Sequence, residues 1–232
     1  AVQKYRNAAA ARPKSVDPYF RIGATLYSFY LDSCQENPNL SIRHRSPLRD
    51  CNNPDAINTA IAQETIDAWV AAEARVPLDP RFSSSAGDSL LFARALLNTR
   101  LNTKASLAAA TLDYENYIDR SDSAKENPNL ENALSNVAET YMMLGRIDES
   151  IAAYREAAIR GGGTEVSTIY GLAVALDRGE RHTAAAQLMA SRKKEGYESF
   201  RRRVESGATF FVPPGEVYYY YALAEESLGD ID

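Results

Sequence analysis

The chain has 232 residues, with 26 Lys+Arg against 31 Asp+Glu for a formal charge of −5, and 45% of it is apolar. This composition excludes a disordered polymer and supplies enough apolar surface for a core. No stretch approaches the roughly 20 consecutive apolar residues of a transmembrane helix, and the acidic balance argues against a nucleic-acid surface spread over the whole molecule.

Ala1–Pro13 lacks the charged, apolar and cleavage regions of a secretory signal. Ala1, Tyr5 and Ala8 instead recur at helical steps before Pro13, and Tyr19, Ile22, Gly23 and Leu26 form a second such stripe. The stretch 32–55 is irregular and carries both cysteines, Cys34 and Cys51, together with Arg43, Arg45 and Arg49. A Cys34–Cys51 disulfide is expected there. Closing that 17-residue step would stabilise by roughly 3 kcal/mol on a chain-entropy view and imply an oxidising compartment such as a periplasm. Two unpaired thiols are one alternative, and a metal site with His44 is another, although that spacing matches no common zinc pattern.

Thr65–Pro77, with Trp69 and Ala72, and Ala110–Ile118, with Tyr114, are predicted helices, separated and followed by loop-like stretches near 78–87 and 119–128. The clearest pattern comes next. Leu134, Val137, Ala138, Tyr141 and Leu144 line one helix, and Ile151, Tyr154 and Ala158 line another, with Gly145 as a tight turn between them. Thirty-five residues on, Ile169, Leu172, Ala173 and Leu176 repeat the first stripe, followed by Gly179 and a second helix through Ala185 and Met189. After a further insertion at 193–214, Tyr218, Tyr221, Ala222, Leu228 and Gly229 begin the pattern again.

These residues resemble the tetratricopeptide repeat family. Its first helix sets a large residue, Leu-Gly or Leu-Ala and then Tyr, and its second carries Ala-x-x-x-Phe/Tyr-x-x-Ala. The likeness is strongest over 131–162, extends over 1–30, 165–192 and an incomplete 215–232, and is degenerate over 56–120. It implies an all-α fold: one right-handed superhelical solenoid of helix-turn-helix repeats over 1–232, about ten helices, with loop insertions at 32–55 and 193–214. In that register half a repeat is missing before Ala1 and another stops at Asp232, so more chain or a neighbouring subunit is expected beyond each end.

The same register aims Phe20, Ala24 and Tyr27, then Ser135, Glu139 and Met142, then Tyr170, Val174 and Asp177, then Tyr219, Leu223 and Glu226 into a concave groove. Family members that clamp a chaperone's C-terminal carboxylate use Lys and Asn there. Ser135 and Glu139 stand in the best-matching unit, so that clamp is not expected; the groove would offer aromatic rings flanked by acids. Alternatively, some of these tyrosines pack between adjacent hairpins.

Catalytic chemistry finds little support. The two histidines, His44 and His182, fall in different repeats, and no nucleophile elbow, zinc-protease, phosphate-loop or calcium-loop pattern occurs. Gly161-Gly162-Gly163 could cradle a phosphate at a helix start, but reads better as a left-handed helix ending. Arg192, Lys193, Lys194, Arg201, Arg202 and Arg203 are interleaved with Glu195, Glu198 and Glu205, the pattern of a solvated helix face. Phe210 and Phe211, ahead of Pro213 and Pro214, are expected to cover a junction between repeats.

The expected function is a non-catalytic scaffold or adaptor subunit that binds a protein or peptide partner in its groove, with no cofactor, metal or nucleic acid. An envelope location, periplasmic or extracellular, is expected, with the cytoplasm as alternative. Two other roles remain open: an envelope assembly factor of lipoprotein type, and a repeat domain regulating a longer enzyme.

Overall fold

The computed structural model describes residues 1–32, 59–79, 81–82, 84–122, 129–206 and 215–229. Cys34, Cys51, the arginines at 43, 45 and 49, and Phe210–Pro214 lie outside them. Among the described residues the protein is all-helical, with eleven α-helices packed in neighbouring pairs and no strand. They form two compact units, Ala1–Thr103 and Lys104–Asp232. The boundary falls inside the stretch 56–120 whose repeat pattern is degenerate.

The first unit contains α1 (Val2–Ala11), α2 (Val16–Asp32), α3 (Thr59–Glu73) and α4 (Ser84–Leu101), each packed on the next. Its main core joins Val16, Ala62, Ile66, Trp69, Ala72, Leu90 and Leu97. Where α2 crosses α3, Gly23 lies against the Trp69 indole so closely that a Cβ there would overlap the ring. Trp69 is 3% exposed. Beyond α3, Asp79 accepts a bond from the Val16 backbone N–H at 3.2 Å and from the Arg81 guanidinium. The Arg81 bonds hold the Asp79 carboxyl well below the usual carboxylate range.

Helix α4 begins within the stretch 78–87 that reads as a loop. Its apolar residues, Leu90-Leu91-Phe92-Ala93 and Ala95-Leu96-Leu97, form an almost unbroken run. Such a run carries no 3.6-residue stripe to announce a helix. Arg94, nearly buried, is held by Glu73 at 2.8 Å.

The second unit contains α5 (Lys104–Asp122), α6 (Leu130–Met143), α7 (Ile147–Arg160), α8 (Val166–Arg178), α9 (His182–Ala190), α10 (Tyr197–Ser206) and α11 (Glu216–Leu228). Helices α5 to α9 pack in succession, and α6 also touches α8. Asp148 and Glu149 in the first turn of α7 and Arg160 in its last complement the helix dipole. The expected insertion 193–214 contains a helix, α10, whose Phe200 and Val204 are fully buried. Its dense charges conceal an apolar stripe.

Three helix ends share one hydrogen-bond pattern, in which the second residue past the cap bonds back into the last turn. Arg146 N–H donates to Tyr141 O at 2.8 Å, Gly163 N–H to Ala158 O at 2.7 Å, and Arg181 N–H to Leu176 O at 2.9 Å. The left-handed position is glycine in the first two turns, Gly145 (φ +76°) and Gly162 (φ +67°). In the third it is Glu180 (φ +59°), with Gly179 at −88°, so Gly179 sits one residue too early to serve as the turn glycine. A side chain at positive φ costs about 1 kcal/mol. Glu180→Gly is therefore expected to stabilise the protein by about 0.5–1 kcal/mol, read as a shift of the urea midpoint. An unchanged or lower midpoint would contradict this.

Candidate partner-binding surface

The residues aimed at a groove fall into two sets. In the first unit, Phe20 on α2 is 38% exposed. Tyr27 is half-buried beside Trp69, ring centroids 5.2 Å apart, and burial raises its phenol's pKa while Arg100 opposes the rise.

In the second unit most are covered. Glu139 (4% exposed) and Met142 are buried, and Tyr170 and Val174 have no exposed surface. Ser135 and Thr168 share a hydroxyl–hydroxyl bond of 2.7 Å between α6 and α8. Tyr219 and Glu226 on α11 remain exposed, Tyr219 by 55%, while Leu223 is half-buried.

Tyr170 and Asp177 anchor a network of rings and carboxylates. The Tyr170 hydroxyl donates to Glu216 at 3.0 Å, and Arg178 approaches the same carboxylate at 3.8 Å. Glu216 occupies the first turn of α11, where the helix dipole favours an anion. The Tyr170 ring packs edge-on against Tyr220 (5.7 Å) and Phe200 (6.5 Å). Tyr220 hydrogen-bonds Asp177, which also lies 2.6 Å from His182 Nδ1. Burial, followed by the neighbouring carboxylates, raises the pKa of both phenols far above the usual range. Both hydroxyls therefore stay protonated and act as donors, which fixes α11 against α8 by bonds that an aliphatic core would lack.

His182 is thus exposed but partnered. The glycines 161–163 close α7, and the Glu165 side chain accepts the Ser167 backbone N–H, capping α8 from within the chain. A polar cleft of about 430 Å³ lies between the α6–α7 and α8–α9 turns. Its arginines are matched by acids: Arg146 with Glu149, Arg181 with Asp148, Arg178 with Glu216. No group of three His, Cys, Asp or Glu side chains suited to a metal occurs among the described residues. No described helix is long and apolar enough to cross a membrane.

Sequence reasoning missed Glu216, Tyr220, Tyr197, Phe200 and Val204. The consecutive tyrosines 218–221 put a ring on every side of α11, so no stripe marks the two, Tyr220 and Tyr221, that turn inward. Tyr197, Phe200 and Val204 do recur at steps of three and four, but the arginines and glutamates between them mask that face. No protein-family profile matches the chain, and no curated protein sequence is significantly similar to it.

Proposed function

We infer that the chain is a non-catalytic protein-interaction scaffold, a right-handed stack of tetratricopeptide-type hairpins that holds a partner polypeptide against its first helices. The observation that supports this most is the equivalence of α6–α7 and α8–α9. Both are hairpins closed by the same bonded turn, and their left-handed residues, Gly145 and Glu180, lie 35 residues apart. Helical pairs of this kind bury their stripes against neighbours and leave an outer face for binding. On α11 that face offers Tyr219 and Glu226, an aromatic anchor and a carboxylate about two helical turns further on, a combination suited to a peptide carrying an apolar side chain and a basic one.

The test is co-purification from source extract with the intact chain, Tyr219→Ala and Glu226→Lys. Retention of a specific partner by the intact chain and its loss by at least tenfold in both variants are the expected results. Both side chains are exposed, so folding should not change. Undiminished capture by both variants would place the contact elsewhere, and turnover by the purified chain would defeat the scaffold reading.

A further inference from the structure

Helix α10 breaks the packing order of its unit. From α5 to α9 each helix packs on the next, yet α9 packs on α11, and α10 lies on α8 and α11. It contributes three apolar anchors, Tyr197, Phe200 and Val204. Phe200 and Val204 share the core cluster of Tyr170, Val174 and Tyr221, and Tyr197 stacks on Tyr221 with centroids 3.6 Å apart. Phe200 thereby covers Tyr170, one of the two groove-register residues of α8 that have no exposed surface.

The docking is imperfect. Among the described residues the hydroxyls of Tyr197 and Tyr221 are buried without a hydrogen-bond partner. Each forfeits water and gains nothing in return, which subtracts from what burial of the rings contributes. Arg201 pairs with Glu198 and Glu205 of the same helix and reaches α11 only through its guanidinium, 5.6 Å from the centre of the Tyr218 ring. The Glu198–Tyr218 bond (3.0 Å) does reach α11. Gly196 (φ +81°) precedes α10 and Gly215 (φ +85°) precedes α11, and both hold a positive φ that favours glycine.

We propose that α10 is a resident ligand of the α8–α11 face, occupying the place of a partner's aromatic-anchored amphipathic helix and leaving when that helix binds. The proposal rests on the scaffold reading for the partner's existence. The partner's helix carries an aromatic pair three residues apart and an aliphatic residue four further on, as α10 does.

Hydrogen exchange on the unaltered full chain provides the first test. Amides of Arg201–Val204 are expected to exchange at least about 30-fold faster than those of Ala173–Leu176, through an opening confined to α10. Equal rates would overturn the proposal. The second test uses a fluorescein-labelled peptide of residues 196–206. It should bind full-length Phe200→Asp/Val204→Asp, whose own α10 cannot dock, about tenfold more tightly than the unaltered chain. A helical variant that binds the peptide no better would also overturn it. The probe is the chain's own helix, so absence of any external partner would defeat the scaffold reading and leave this result standing.

Discussion

Gly171→Ala is expected to destabilise the protein by about 1–2 kcal/mol. Alanine raises helix propensity by about 1 kcal/mol over glycine, so an exposed helical site would show the opposite sign. Gly171, however, lies in the middle of α8 where the Tyr154 ring of α7 crosses it, and a Cβ there would overlap the end of that ring. Tyr154 is 2% exposed and packed in the core cluster, so its ring has no free space to swing into. Overpacking of this kind costs typically about 1–3 kcal/mol, which outweighs the gain in propensity. Tyr154→Leu should be destabilising alone through lost packing, yet the pair should couple favourably by about 1 kcal/mol, because the shorter side chain makes room for the new methyl. Urea unfolding of the four proteins completes the cycle. A Gly171→Ala protein as stable as the parent would mean that α7 and α8 do not approach as closely as described.

Tyr170→Ala is expected to cost about 4 kcal/mol, the scale for removing a large buried ring. The ring contacts Tyr220 and Phe200, and its loss leaves a cavity shared by α8, α10 and α11. Tyr170→Phe keeps that packing and removes only the bond to Glu216, so it should cost about 1–1.5 kcal/mol. Arg178 remains near the carboxylate and limits the penalty. The large gap between the two variants identifies a core residue with a polar tip. Near-equal, small effects would instead return Tyr170 to the surface, where alanine would weaken partner binding without changing stability.

The helices with clean stripes were legible. Leu134, Val137, Ala138 and Tyr141 announce α6; Ile151 and Tyr154 announce α7; and Gly145 marks the turn between them. Where one physical cause dominates a segment, the period exposes it. Helix α4 was obscured because a helix apolar on nearly every side has no period to read, and α10 because its arginines and glutamates outnumber three anchors. After α8 the glycine does not mark the left-handed residue: Gly179 ends the helix at φ −88°, and bonding from Arg181 to Leu176 puts Glu180 in the left-handed position.

The candidate site was less legible than the fold. Helical spacing assigns Tyr170, Val174 and Tyr219 to related faces, but spacing does not say what lies on a face. Phe200 comes from a segment 30 residues downstream of Tyr170, and nothing local to α8 encodes that encounter. Tyr219 and Glu226 stay open because the buried side of α11 is set by Val217, Tyr220, Tyr221 and Ala224.

The sole tryptophan of the chain, Trp69, is wedged against Gly23 with its indole nitrogen buried and no acceptor for it among the described residues. Its emission should therefore be blue in the native protein and redden when the α2–α3 crossing opens. Excitation selective for indole makes the α5–α11 unit spectroscopically silent, whereas near-ultraviolet dichroism sums over tyrosines of both units, Tyr19 and Tyr27 among them. The molecule thus carries a built-in optical gauge of its first unit without any added label.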